Sequence, residues 1–537
     1  MYSSARSSFP LKFHNKKQQS SQDDEDNAYD NPAEPHKLTP DASKEKKHRT
    51  SATNKKKPKA NTLLKPTKVN ADNITISPKI KDIKYISVDQ SQPVPEHQLT
   101  KESRDPLEEF DSAAEAKRCF TWLIHPVEDI KFYNELWEKK PLLVKRHQPQ
   151  YYKGIFTCKD LDRVLREKRL VFKKDIEIIS HLEYKRQVQN LEGRAYPAIV
   201  WDCYQNGCNI NFVSPQTYIR AVWKLGSILQ EYFESAIKLD IYLTPPGSQG
   251  YAPRFSDAES FILQLEGKNI WKLYGPRNAS EELPRYSASV SSKMELVDPI
   301  LTVELEPGDL LYFPRGVIHK SSTAETQYSL HILLSTCKRN TWGDLLEKLV
   351  PRALRMAIVM TLSSAILCRR TSWDTWASLT SISTSQSETS VDQLAKEFIH
   401  DSLPPVLTAN EKANSIYGNG EKWVDEGRIE NIIELEPDTL IRLLRLCVVR
   451  LVMENDSVRL YHSLDNSRIF HEVELQYIEI GAELAPAVEY LIHVYPHYTT
   501  IEKLPLLTLE QKLEVASLLY DKGLLLIKDV PYKNFDN

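Results

Sequence analysis

Three things are missing from this 537-residue chain, and each absence excludes something. Net charge is nearly absent. The 70 Lys and Arg stand against 73 Asp and Glu, so the whole-chain balance singles out no partner. Paired cysteines are absent. Cys119, Cys158, Cys203, Cys208, Cys337, Cys368 and Cys447 form no CxxC pair, and the Cys203/Cys208 spacing fits no zinc signature. Their odd number argues against a disulfide framework and predicts a reducing compartment. Long apolar runs are absent too. MAIVMTLSSAILC (356–368) is too short to cross a bilayer and carries hydroxyl side chains. The first residues, MYSSARSSFPLKFHNKK, lack a signal-peptide core. These readings predict a soluble intracellular protein with no membrane partner.

What is present is a large apolar fraction, 41%, which allows a sizeable core in a chain long enough for two to four domains. Residues 1–115 lie outside that core. An acidic block (Asp23, Asp24, Glu25, Asp26, Asp30, Glu34) precedes a block of ten Lys and Arg in residues 41–70. That pattern predicts a disordered, solvated tail. Within it KEKKHR (44–49) and NKKKPKAN (54–61) resemble nuclear-localisation clusters. Lys55, Lys56, Lys57 and Lys59 would carry the signal, directing the protein to the nucleus or nucleolus. The plainer reading of the same run is a solubilising tail.

Periodicity predicts a mixed α+β chain. Helical spacing in FTWLIHPVEDIKFYNELWEKK leads to a strand-like PLLVKR. CKDLDRVLRE and SPQTYIRAVWKLGSILQEYFESA read as helices. Short strands follow between Pro/Gly turns: IYLTPP, SFILQLEG, NIWKLYGP, LTVELEPG, DLLYFPRG and YSLHILLST. Many short strands with such turns imply a barrel or sandwich over 116–340. The signal over 341–440 is helical and extends into EPDTLIRLLRLC, with a Ser/Thr-rich, flexible insertion at 371–390. Over 441–537 a hairpin turning at Asn455-Asp456, two helices near 485–494 and 509–522, and a strand at 524–528 make a winged-helix-like unit. Its acidic residues offset its lysines, so it offers no basic face for direct DNA binding.

The strings DIYLTPPGSQGYAP, FILQLEGKNIWKLYGPR, LEPGDLLYFPRGVIH and SLHILLSTCKRNTWGDLLE resemble the JmjC-type ribosomal oxygenases. The likeness runs from about Thr121 to Asp529 and includes DNSRIFHEVEL and LTLEQKLEVASLLYDKGLL. That family contains Fe(II)- and 2-oxoglutarate-dependent protein histidyl hydroxylases, also described as histone lysine demethylases. The resemblance implies a double-stranded β-helix of jelly-roll or cupin type, a helical dimerisation region and a C-terminal winged helix. It also implies a homodimer and a ribosomal protein or histone in chromatin as partner.

The resemblance implies metal ligands as well. The family strand at YAPRFSDAE begins with a His-x-Asp pair, which shares one face because strand neighbours two apart point the same way. A later histidine completes a facial triad on Fe(II). That histidine is present as His319, in FPRGVIH. The other two positions hold Arg254 and Ser256, and the family lysine for the distal carboxylate of 2-oxoglutarate falls on Asn269. Arginine stays protonated and cannot donate a lone pair. Two unit charges 4 Å apart repel by roughly 4 kcal/mol at an effective dielectric of 20, and a dication by about twice that. Asp257 and Glu259 have the wrong strand parity to substitute, although they are the nearest partners in sequence for Arg254. His331 reads as a packed core histidine, and Arg315 as structural. Asp240 and Ser335 are candidate groove residues. Two readings follow. The first is a catalytically impaired or inactive pseudoenzyme that binds a ribosomal protein or chromatin. The second is an active dioxygenase with an unusual ligand set.

Overall fold

The computed structural model describes residues 75–76, 83–88 and 111–528, apart from 183–184, 190, 291–297, 339, 361–383, 419–421, 425–427, 431–432 and 455–456. All of these belong to one compact unit, Lys65–Asn537. The basic run Lys55, Lys56, Lys57 and Lys59 and the hairpin turn Asn455-Asp456 lie outside the described residues.

Two sheets face each other. The six-stranded sheet runs Thr75–Ile76, Leu301–Leu305, Asn269–Tyr274, Ile318–Ser322, Gln249–Phe255, Ala288–Ser289. The nine-stranded sheet runs Lys84–Ser87, Leu142–Lys145, Leu310–Phe313, Glu259–Gly267, Ser329–Thr336, Ile237–Thr244, Asn209–Val213, Ile176–Leu182, Lys185–Val188. Alternation assigns each strand two faces. Leu301, Val303 and Leu305 meet Trp271, Leu273, Ile262, Leu311 and Phe313 between the sheets. On the outer face of the larger sheet, Phe261, Leu263 and Tyr312 pack with Phe120, Phe132 and Leu225 of the helices Ser112–Ile124, Asp129–Glu135 and Arg220–Phe233. The chain changes sheets at Gly267. Its φ is +61°, and a Cβ there would lie 1.9 Å from the Tyr328 carbonyl oxygen, so only glycine fits.

Beyond the jelly roll come the helices Trp342–Met360 and Thr384–Asp401. The C-terminal domain combines the strands Leu440–Leu443, Thr499–Thr500 and Leu525–Ile527 with the ribbon Val449–Glu454, Ser457–His462, Gln476–Ile480. The helices Ala485–Val494 and Leu509–Asp521 close its core.

Four expectations need correction. Order reaches into the expected N-terminal tail: Lys84–Ser87 pairs in parallel with Leu142–Lys145, and Thr75–Ile76 pairs antiparallel with Leu301–Thr302. In EPDTLIRLLRLC no α-helix forms. Leu440–Leu443 is the central strand of its sheet, because strand partners on both sides outweigh the helix propensity of Leu and Arg. The helix expected from Ser214 starts at Arg220, after a short turn of 3-10 helix. The end of the expected flexible insertion, 384–390, is helical.

A buried ion pair ties the first strands to the sandwich. Lys145 and Asp309 are both almost fully buried, with Nζ and Oδ2 2.7 Å apart. Asp309 also accepts from the backbone N–H of Arg146 at 3.0 Å and of Glu306 at 2.8 Å. Removing one partner strands the other charge. Asp309→Ala should therefore cost about 3–5 kcal/mol, read as a fall in the urea midpoint. A loss under about 1 kcal/mol would show that water solvates Lys145 instead.

Candidate active site

The strand Ile318–Ser322 lies between Asn269–Tyr274 and Gln249–Phe255. His319 is directly opposite Leu273 on one side and Arg254 on the other. The register shifts between His319 and Ser321, so Ser321 meets Tyr251. This β-bulge lets Tyr251 and Arg254, three apart in sequence, serve the same inner face. Arg254 is the penultimate residue of its strand, not near its start, and Ser256 lies just beyond the strand end. The expected inward pair is thus half in a strand and half in a turn. Ser256 Oγ accepts from the Ala258 N–H at 3.2 Å, which commits an oxygen lone pair to the turn.

His319 is 4% exposed. Its Nδ1 lies 3.1 Å from the Val317 carbonyl oxygen, which can only accept. The proton therefore sits on Nδ1, and Nε2 carries the lone pair. Burial, then the charge of Arg254, pushes the His319 pKa down to about 3. The imidazole is neutral at any physiological pH. Phe313 packs against its ring at 4.7 Å between centroids.

The carboxylate that feels Arg254 is Asp240. It is buried, and burial raises its pKa against the opposing pull of Lys238 and Arg254. Lys238 Nζ is 2.8 Å from its Oδ2, while its Oδ1 has no hydrogen-bond partner. The expectation that Asp257 or Glu259 partners Arg254 is corrected. Asp257 lies 3.7 Å from Lys338 Nζ. Glu259 is on the outer face, where Tyr312 Oη donates to it at 2.6 Å and the Arg315 N–H at 3.3 Å. Parity does turn Glu259 away from the pocket. Arg315 also pairs with Glu138 at 2.5 Å, so its environment is that of a structural bracket.

Asn269 is fully buried four residues from Leu273 on the same inner face, roughly 13 Å along the strand from the level of His319. Its Nδ2 makes a long 3.5 Å contact to His331 Nδ1. His331 is fully buried and stacks on Tyr242, and burial pushes its pKa down to about 3. Ser335 shares the inner face of its strand with His331, opposite Lys238. The structure therefore gathers Arg254, His319 and Asp240 at one level and Asn269 with His331 at another. Asn211 Oδ1, Asp240 Oδ1, Asn269 Oδ1, Ser321 Oγ, Trp271 Nε1 and His331 Nε2 are buried without hydrogen-bond partners. Orphaned polar atoms on facing inner walls mark a chamber shaped for a polar occupant.

The sequence reading missed one wall. Glu177 holds Arg186 at 2.7 Å and accepts from Asn211 Nδ2 at 3.1 Å. These residues come from Ile176–Leu182, Lys185–Val188 and Asn209–Val213, which were not recognised as strands. The alternation in IEIISHL was the available signal.

The residues do not fit a ferrous centre. Of the three family positions only His319 offers a free lone pair. Arg254 is a fixed cation across the ladder from it, and Ser256 is a neutral hydroxyl engaged in a turn. Asn269 is uncharged, so it supplies no cation where the resemblance implies a lysine for the distal carboxylate of 2-oxoglutarate.

Comparison with known proteins now places the chain. A family model described as "JmjC domain" matches residues 211–342, and one described as "Ribosomal oxygenase 1, C-terminal winged helix domain" matches 403–531. The Branchiostoma floridae protein called bifunctional lysine-specific demethylase and histidyl-hydroxylase NO66 is 45% identical over 440 residues, covering 78% of this chain and 69% of its own. The chain belongs to the ribosomal oxygenase family. Gallus gallus ribosomal oxygenase 1 is 43% identical over 439 residues, covering 78% and 73%. Escherichia coli YcfD, solved with cobalt and 2-oxoglutarate, is 14% identical at a TM-score of 0.38, covering 75% of this chain and 99% of that one. The jelly roll and winged helix of this chain are those of its family.

Glu259 yields a pH prediction. Burial, opposed by the Tyr312 hydrogen bond, raises its pKa from 4.5 to about 7. The folded state then binds the proton more tightly than the unfolded chain. Its contribution to stability is full below about 4.5, falls as pH rises to about 7, and is constant above. Glu259→Gln keeps an acceptor for Tyr312 and should be more stable than the parent at pH 8, by up to about 3 kcal/mol. The difference should shrink towards pH 5. Parallel stability curves for the two proteins would refute this.

Proposed function

We propose that this ribosomal oxygenase retains the family groove as a binding surface for a ribosomal protein or a histone tail in chromatin, and has lost iron-dependent turnover. The observation that carries the reading is Arg254 opposite His319 in the strand ladder. A fixed positive charge occupies the place where a dication and its imidazole ligand would meet. No carboxylate replaces the one missing at Ser256, since Asp257 and Glu259 are turned to Lys338 and to Tyr312 with Arg315. Asp240 is the acid within reach, and Lys238 already holds it.

Within this reading the dimer uses the first helix after the jelly roll. Trp342, Leu346, Val350 and Leu354 are 80%, 49%, 51% and 46% exposed. Their spacing of four puts them on one face of Trp342–Met360, and an apolar ridge of this kind needs a cover. A second copy of the same helix is the cover we infer.

The purified protein should hold Fe(II) weakly or not at all, and should not decarboxylate 2-oxoglutarate. Anaerobic Fe(II) titration reads the first, and succinate formation the second. Arg254→His, Ser256→Asp and Asn269→Lys together should restore metal binding, because His319 is in place. Stoichiometric iron in the unmodified chain, or turnover above a His319→Ala control, would overturn the reading in favour of an unusual-ligand dioxygenase. Sedimentation should report a dimer at micromolar concentration, weakened at least about tenfold, or roughly 1.4 kcal/mol, by Leu346→Glu with Val350→Glu. A monomeric parent would defeat the dimer.

A further inference from the structure

A cluster of side chains of metal-ligating type, none of them among the residues of the jelly-roll chamber, lies at the end of the second helix after the jelly roll. The helix Thr384–Asp401 ends on His400 and Asp401. The segment between the strands Ser457–His462 and Gln476–Ile480 brings His471 against them. One ligand atom from each of the three residues lies within 4.8 Å of the others. His471 Nε2 is 2.5 Å from Asp401 Oδ1. His400 Nε2 is buried with no hydrogen-bond partner. His471 itself adopts a left-handed φ of +54°, a conformation that costs free energy and persists only where its surroundings impose it.

The surroundings hold these residues in place. Asn466 Nδ2 donates to the Ile399 and Ser402 carbonyls at 2.7 and 2.8 Å. Gln216 Nε2 donates to the Arg468 carbonyl at 2.9 Å. The Arg468 guanidinium lies 3.7 Å over the Trp223 ring. The His471 segment is thus fastened to the helix Thr384–Asp401 and to the jelly roll together. Beside the three side chains is a cavity of about 30 Å³, room for a water-sized group.

We propose that His400, Asp401 and His471 form a binding site for a borderline divalent transition metal, of which Zn(II) is the type. Two imidazoles and one carboxylate are the donor set of a three-ligand zinc site, whose fourth position the cavity leaves to water. Nitrogen donors disfavour Mg(II) and Ca(II). The metal-free arrangement is an imidazole–carboxylate contact. The His400 and His471 rings lie face to face, 3.9 Å apart and 8° from parallel, so their lone pairs run side by side rather than converge. Binding requires one ring to turn about its second side-chain torsion, which is broad for histidine. The bound ion would replace the His471–Asp401 contact and pin the helical region to the winged-helix domain. The site is independent of the chamber around His319, so it stands whatever the jelly roll does.

The test uses the full-length chain carrying His319→Ala, stripped with a chelator and titrated with Zn(II) by calorimetry and with Co(II) by visible absorption. One equivalent should bind, with a Co(II) ligand-field band and a rise in melting temperature. His400→Ala and His471→Ala should each weaken binding at least about tenfold, as losing even the support of a ligand does. Asp401→Asn is isosteric and keeps a hydrogen-bond acceptor for His471. It should weaken binding while leaving the circular dichroism spectrum and elution volume unchanged. The absence of Zn(II) binding would overturn the proposal. Binding that persists unchanged in an Asp401→Asn, His471→Ala chain would overturn it equally.

Discussion

The constraint on which the site depends is the register between Ile318–Ser322 and Gln249–Phe255. A slip of one residue in either strand would send His319 or Arg254 to the opposite face. The bulge beside His319 brings Tyr251 into the same chamber. Burial alone would hold His319 neutral, and the guanidinium opposite reinforces it. The two effects act in one direction, so the imidazole cannot share a proton with its neighbour. It keeps a lone pair on Nε2, in the field of a cation.

This arrangement explains how the fold tolerates what the chemistry does not. The wall around His319 is apolar: Trp271, Leu273, Phe313, Val303 and Leu311 bury one another between the sheets without help from a metal. Other contacts are satisfied without any ligand: Glu259 with Tyr312 and Arg315 on the outer face, and Lys145 with Asp309 where the strand Leu142–Lys145 meets the start of Leu310–Phe313. The packing that stabilises the sandwich is therefore separate from the residues that would determine ligand binding. Arg254 and Ser256 belong to the second set, at a strand end and a turn where side chains change with little cost to packing.

Much of this was legible from local pattern. LTVEL alternates strictly and is a strand with one face buried. The helices Cys158–Glu167 and Leu509–Asp521 begin at Thr157 and Thr508, which cap them with a reciprocal Asp or Gln three residues on. The parity argument placed Glu259 away from the pocket because β alternation is a local rule. What failed was non-local. Leu440–Leu443 has helical composition and becomes a strand only because Thr499–Thr500 and Leu525–Ile527 flank it. Arg254 acquired Asp240, not Asp257, as the acid in its field, since the facing of the two sheets brings residues 14 apart in sequence to the same chamber. The Glu177–Arg186–Asn211 wall joins three separate segments, and only the alternation in IEIISHL signals one of them locally.

The His400, Asp401 and His471 cluster could not be read from spacing at all, because 70 residues separate Asp401 from its histidine partner. Yet it obeys the same logic as the chamber. In each place an imidazole nitrogen is buried beside charged neighbours, and what differs is the sign of the nearest charge. At His319 that neighbour is a guanidinium, which repels a cation. At His400 it is a carboxylate, which attracts one. A chain of this family with metal affinity at one location and none at the other would follow from that single difference in sign.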